Sequence, residues 1–265
     1  MLVDSHAHLN HEDYRGEVEQ VLARAREAGV VTIVNVGFDL PSSEAAVAQA
    51  HELPGVFAAV GMHPHDARTL DREALARLEE LAHDEAVVAV GEIGLDFYRD
   101  LSPRDVQRGA FRRMLDLAEA VGKPVIIHNR DAHAEVLAIL AERMGGGLRG
   151  VMHCFSGDED FARRCVELGF HVGIAGPITF RPKRGAAGPT ELEQVASAVP
   201  LDRLLVETDC PWLAPEPRRG RRNEPAYVRF VAARVAELRG MAPEELAEAT
   251  SENAFGLFGI RAPAG

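Results

Sequence analysis

Eight short apolar runs recur along this 265-residue chain, and an amphipathic stretch follows each of them. The candidate strands are 2–6, 30–36, 56–61, 87–91, 124–127, 149–153, 170–174 and 203–207. Candidate helices lie near 15–28, 42–52, 71–83, 103–121, 131–144, 158–168, 190–198 and 224–238, with one more at 242–258. The strands are continuous Val, Ile and Ala runs without polar alternation, which suits a parallel sheet buried on both faces. Start signals agree with this division. Ser102-Pro103 reads as an N-cap followed by the first helical residue, and Asp71 and Asp158 read as N-caps. Gly29, Gly122, Gly145 and Gly169 each follow the last periodic residue of a helix. Eight strand–helix units in this length predict an α/β chain with a single domain over 1–265, a (β/α)8 TIM barrel.

Six polar residues stand at the ends of five of these strands. Leu2-Val3-Asp4-Ser5-His6-Ala7-His8 places His6 and His8 two apart, on one face of a strand. Val87-Val88-Ala89-Val90-Gly91 runs into Glu92, Pro124-Val125-Ile126-Ile127 into His128, and Gly150-Val151-Met152 into His153. Leu204-Leu205-Val206-Glu207-Thr208 runs into Asp209. In a barrel these are C-terminal strand ends, where the active site of this fold is built. Imidazole and carboxylate together suit Zn, Mn, Fe or Ni, and Mg less well. A single His at a strand end would be read as a structural residue. Four of them joined by two acids read as a metal site. Asp4 and Glu207 share the inward parity of their strands. They are read either as partners that orient ligating imidazoles or as satisfied core acids.

Several short motifs, in this order, resemble one family. D-S-H-A-H-L at 4–9, G-M-H-P at 61–64, G-E-I-G-L-D at 91–96 and H-N-R at 128–130 are the first four. H-C-F-S-G at 153–157, E-T-D at 207–209 and R-R-N-E-P at 221–225 complete the set. Together they resemble the TatD family of metal-dependent DNases, within the amidohydrolase superfamily of barrels, over residues 2 to about 258. The resemblance implies a hydrolase acting on DNA phosphodiester bonds with two divalent cations, Mg, Mn or Zn. It implies that His6, His8, Glu92 and Asp209 hold one cation. Glu92, His128 and His153 would hold the other, with Glu92 bridging. Two cations about 3.5–4 Å apart activate a water and clamp the attacking and leaving oxygens. Asp209 is expected to be the general base as well as a ligand. His63, at the end of the third strand, is expected to contact phosphate or water, against the alternative that it caps the G-M-H-P turn.

Charge limits the substrate. The chain has 29 Lys+Arg against 41 Asp+Glu, a formal net charge of -12. That sign opposes tracking along duplex DNA through many phosphates. Basic residues gather in loops on the expected catalytic face: Arg130, then Arg181, Lys183 and Arg184, then Arg218, Arg219, Arg221 and Arg222. A basic mouth on an acidic body favours a few phosphates at a strand end, so single strands or frayed ends are the expected substrate. Arg130, Arg219, Arg221, Arg222, Asn223 and Tyr98 are the expected substrate contacts. Phe155 and Trp212 are further candidates for stacking on bases. The alternative is a hydrolase of a small ester, amide or lactone, because fold and metal do not fix substrate. No stretch approaches 18 apolar residues and the N-terminus enters a strand at once, so no spanning helix or secretory signal is expected. Cys154, Cys165 and Cys210 show no metal-binding spacing and are expected to be reduced thiols in a cytoplasmic monomer. In a strand, Cys154 and Cys210 would point away from the site.

Overall fold

A computed structural model describes residues 1–143, 145–181 and 188–262. Lys183 and Arg184 lie outside the described residues. All eight expected strands form: β1 (Leu2–Ala7), β2 (Val30–Val36), β3 (Val56–Val60), β4 (Val87–Asp96), β5 (Val125–Arg130), β6 (Gly150–Met152), β7 (Phe170–Ile174) and β8 (Leu204–Val206). They pair in parallel in sequence order from β1 to β8. A parallel bridge between Ala7 and Cys210 brings the last strand back to the first. Around the sheet run α1 (Val18–Glu27), α2 (Leu40–Glu52), α3 (Arg72–Ala82), α4 (Arg104–Val121), α5 (His133–Ala141), α6 (Glu159–Glu167), α7 (Glu191–Ala198) and α8 (Val228–Arg239). The ninth helix, α9 (Pro243–Phe258), follows. This is the (β/α)8 barrel that the rhythm of apolar runs implies.

Two apolar layers hold it. The larger lies between the strands and the helical ring, where Val21, Leu78, Met114, Val136 and Val235 are fully buried. The smaller fills the barrel itself with Val3, Val34, Val88, Ile126, Val151 and Leu205. Leu257, Phe258 and Ile260 join that inner layer, so the end of α9 plugs the barrel. Asn253 fixes the plug at the strand N-termini, donating to the carbonyls of Leu201 (2.7 Å) and Leu204 (2.9 Å). The opposite end is left for polar side chains.

Local signals succeed where a side chain reaches the backbone. Asp71 accepts from Ala74 N and Asp158 from Phe161 N, as N-caps should. The Ser102-Pro103 expectation is corrected by one residue. Pro103 is the N-cap of α4, and the Ser102 hydroxyl instead donates to the His65 carbonyl at 2.7 Å. That bond ties the loop after β3 to the loop after β4. Gly94 is required for close approach. A Cβ there would lie 2.0 Å from the His128 carbonyl oxygen, and its φ of +140° is one that side chains avoid.

Candidate metal centre

All six expected ligands meet at the C-terminal end of the strands. Glu92, on β4, lies between the histidines. Its Oε2 is 3.5 Å from His6 Nε2 and 3.8 Å from His8 Nε2. Its Oε1 is 2.9 Å from His128 Nδ1 and 3.5 Å from His153 Nε2. Asp209 closes the other side, its Oδ1 at 3.6 Å from His8 Nε2, 3.9 Å from His6 Nε2 and 4.0 Å from His153 Nε2. The Nε2 atoms of His6 and His8 are only 3.0 Å apart. Ligand atoms of His6, His8 and Asp209 lie within 4.8 Å of one another, as do those of His63, Glu92 and His128.

The backs of the rings decide which nitrogens face inward. His8 Nδ1 donates to the Val36 carbonyl (2.8 Å), which leaves the Nε2 lone pair free. His153 Nδ1 lies 2.8 Å from Glu207 Oε1, which frees its Nε2 in the same way. His128 is turned round: Nδ1 faces Glu92 and Nε2 lies 3.1 Å from Asp96 Oδ2. The donor set therefore fits a bound divalent cation. In their neutral forms the imidazoles bring lone pairs together with two carboxylates, and for three of the four rings, those of His8, His128 and His153, the far nitrogen has a partner for its proton.

The two inward acids divide the roles left open for them. Glu207 holds His153, and it also accepts the Cys154 N–H at 2.6 Å. Gly173 makes room for it, since a Cβ there would meet Glu207 Oε2 at 2.6 Å. Asp4 touches no imidazole side chain. It accepts the Thr208 hydroxyl (2.6 Å) and the Thr208 N–H (2.9 Å), and burial raises its pKa to about 8. It is a core acid that joins β1 to the segment after β8.

Two residues of the site escaped the sequence reading. Asp96 is fully buried and bridges His65 (2.9 Å) and His128 (3.1 Å), while accepting the N–H groups of Tyr98 and Arg99. Its parity with Glu92, four residues earlier on the same strand, was the available signal. His65 sits in the short 3-10 turn that follows G-M-H-P. Cys154 corrects another expectation. The strand has ended at Met152, and Cys154 has a left-handed φ of 41°. Alternation no longer applies, and its thiol comes within ligating range of His153 and Asp209. Cys210 is buried against Asp4, Thr208 and Tyr14, away from the imidazoles. All three cysteines are free.

His63 caps the G-M-H-P turn, as the alternative reading has it, and also faces the site. Its Nδ1 accepts the His65 N–H at 3.1 Å, capping the turn, while its Nε2 stands 3.5 Å from Glu92 Oε1. A neutral ring that accepts at Nδ1 carries its proton at Nε2. His63 therefore presents a donor to the site and no lone pair. Burial and the neighbouring His128 hold its pKa well below the usual histidine range, so the ring stays neutral.

The expected substrate contacts separate into two groups. Arg130, Arg219, Arg221 and Tyr98 are exposed. The Arg130 guanidinium lies 3.9 Å from the Tyr98 ring centroid, and that of Arg219 lies 3.7 Å from Phe180. Arg222 instead pairs with Glu17 (2.7 Å) and donates to the Asp13 carbonyl. Asn223 is fully buried and donates to the carbonyls of Thr208 (2.9 Å) and Trp212 (2.6 Å). Phe155 is buried and stacks on Phe161.

Known proteins share this sequence pattern and fold. The model of the TatD related DNase family matches residues 3–259. The chain belongs to that family. YabD of Bacillus subtilis, a metal-dependent hydrolase by name, is 47% identical over 260 residues, covering 98% of this chain and all of the relative. The 3'-5' ssDNA/RNA exonuclease TatD of Cronobacter sakazakii is 41% identical over 244 residues, 91% of each chain. The crystal structure of YjjV, a TatD homolog from Escherichia coli, superposes with a TM-score of 0.90 at 31% identity, covering 98% of both chains. The family and the fold are those the ordered motifs imply.

Protonation gives the centre a measurable signature. Burial opposes the charge of Glu92, but His153 and the hydrogen bond from His128 hold its carboxyl well below the usual carboxylate range. Burial likewise opposes the charge of Asp209, and His153, His8 and His6 lower it. Burial also opposes a charge on His153, but Glu207, Glu92 and Asp209 raise its pKa to about 10. His128 is raised against the same burial penalty by Asp96 and Glu92. With a pKa of about 10, His153 carries a second proton at neutral pH, and ligation requires it neutral. Loading a divalent cation near pH 7 should therefore release protons, and affinity should weaken as the pH falls. Calorimetry of cation binding in two buffers of different ionisation enthalpy reads this release. Identical heats in both would contradict it.

Proposed function

We propose that the protein is a metal-dependent deoxyribonuclease that hydrolyses phosphodiester bonds of DNA at single-stranded or frayed ends, using two divalent cations. The observation that carries the reading is Glu92, whose Oε2 faces His6 and His8 while its Oε1 faces His128 and His153. His6, His8, Asp209 and Glu92 would hold one cation; His128, His153 and Glu92 would hold the other. Bound there, the cations would supply Lewis acidity that lowers the pKa of water and neutralises charge on phosphoryl oxygens. The residues of the chain do the rest. Asp209, ionised and at the mouth, takes the proton of the attacking water. His63 donates from Nε2 to a phosphate oxygen. Asp96 and Glu207 hold the rings of His128 and His153 in place. The name of the Cronobacter relative, an exonuclease on single strands, supports the same substrate class.

Charge also favours a short contact with nucleic acid. A chain of net charge -12 presents Arg130, Arg219 and Arg221 around the site. Arg222 and Asn223 position the loop that carries Arg219 and Arg221. Neutralising Arg219 and Arg221 together should weaken binding of single strands while cation content stays intact. Each phosphate deprived of its arginine should lower the slope of log affinity against log salt by about 0.7. Hydrolysis of a small phosphodiester, which has no flanking phosphates, should fall less. An unchanged salt slope would remove these arginines from the binding surface.

The function itself is tested with metal-free protein repleted with Mg, Mn or Zn. The substrates are 3'- and 5'-labelled single strands, a matching duplex, a generic phosphodiester and a lactone. Stepwise release of nucleotides from single strands is the expected result. Lactone hydrolysis with no nucleotide release would favour the small-molecule alternative.

A further inference from the structure

Exposed aromatic side chains are scarce on this protein. Among the described residues, Tyr98 (63% exposed) and Trp212 (45%) are the exposed members of the Phe, Tyr and Trp set. An exposed indole or phenol ring forgoes hydrophobic stabilisation that burial would bring. Here both rings stand in loops of the catalytic face. Tyr98 follows β4 and Trp212 follows β8. In a closed barrel of eight strands in sequence order, those two strands are diametrically opposed. Glu92 belongs to the first side and Asp209 to the second, with His6 and His8 between them. The metal ligands therefore lie between the loops that carry the two rings.

Both rings are presented by anchored backbone. The Trp212 N–H donates to the Asp209 carbonyl (3.0 Å), and its own carbonyl accepts from Asn223 (2.6 Å). Its ring meets His8 and His11 edge-on, each at 5.1 Å between centroids. The Tyr98 N–H donates to Asp96 Oδ1 at 3.0 Å. Arg130 lies over the Tyr98 ring at 3.9 Å, and a guanidinium can cover only one face at that distance. Flat partners with their own π-faces complement such rings, and the neighbouring Arg130 suits the phosphate that links them.

From this we infer that Tyr98 and Trp212 are paired stacking platforms that bracket the scissile phosphate, each taking one unstacked base. The inference rests on the nuclease reading and deepens it. The preferred substrate carries a base on both sides of the bond that breaks. Paired bases in a duplex are stacked on their neighbours and are not free to take these positions, so single strands are preferred through geometry as well as charge.

Trp212 is the one tryptophan in the chain, so its emission reports on the platform directly. Titrating the cation-loaded protein with a phosphorothioate single strand should quench that emission. The same strand with a reduced abasic residue on the Trp212 side should not. In kinetics, Trp212→Ala should lower kcat/KM on single strands about 5- to 150-fold, the scale on which removing one base–aromatic stack acts. Removing the base on that side should cost the wild-type enzyme a similar factor. The two losses should not multiply when combined, whereas Tyr98→Ala with that same abasic strand should multiply. Trp212→Phe should keep the discrimination between base and abasic site. A disturbance of His8 alone would lower rates on all strands by one factor and leave that discrimination intact. Multiplicative losses at every abasic position, or emission that ignores bound strands, would overturn the two-platform inference while nucleotide release continues. Absence of both binding and nucleotide release would overturn the nuclease reading and this inference with it.

Discussion

Glu92→Ala is expected to lower turnover by at least about 10²-fold, the scale on which loss of an acid–base or charge-stabilising group acts. The side chain is buried, and it is the carboxylate that lies within 3.8 Å of all four imidazoles, His6, His8, His128 and His153. Removing it leaves His128 without its carboxylate partner inside the site, and leaves Asp209 as the one inward carboxylate beside His6, His8 and His153. Cation binding at both positions should weaken together, because one carboxylate serves both. Glu92→Gln separates charge from shape. It keeps the volume and one ligating oxygen but removes the negative charge, so its cation content should fall between wild type and the alanine variant. Metal analysis of the purified variants, beside turnover at saturating cation, checks the result. Wild-type turnover in Glu92→Ala at saturating cation would rule out a bridging role.

The barrel was legible because its signal is repetitive. Eight buried parallel strands leave eight apolar runs, and the helices between them keep their own period. The convergence of the candidate ligands was legible for a related reason: the fold places function at strand ends, and His6, His8, Glu92, His128, His153 and Asp209 all end such runs. What escaped lies where strand geometry stops or continues unexpectedly. β4 extends to Asp96, five residues past the apolar run, so an acid that holds two imidazoles looked like part of a loop. Cys154 follows a strand that had already ended, and a left-handed backbone turned its thiol toward Asp209. Arg222 and Asn223 stand in the same short polar segment as Arg219 and Arg221. Their difference comes from Glu17 and Asp13 at one end of the chain and Thr208 at the other, partners that no local pattern encodes. Likewise, Phe155 and Trp212 each follow a ligand closely, but only the latter lacks a core to enter.

Asp209→Asn tests whether one carboxylate does two things. Asp209 has a left-handed φ of 55°, a conformation that Asp and Asn tolerate better than most residues. Its N–H donates to the His6 carbonyl at 3.0 Å, which ties the loop after β8 to β1. Asparagine can keep that backbone and one ligating oxygen. It cannot accept a proton from water. Turnover should therefore fall by at least about 10²-fold, while cation affinity should fall by a smaller factor. Asp209→Ala removes the oxygen as well and should lose both in greater measure. The comparison is read from cation titrations and single-turnover rates on a labelled single strand. A pure ligand would behave differently: excess cation would restore the Asn variant to wild-type turnover, and the role of general base would then pass to another group. The geometry leaves few candidates. His63 holds its proton at Nε2, and Glu92 is surrounded by imidazoles that keep it ionised but enclosed. Asp209 is the ligand whose carboxylate is the more open to the mouth, with 13% of its side chain exposed against 6% for Glu92.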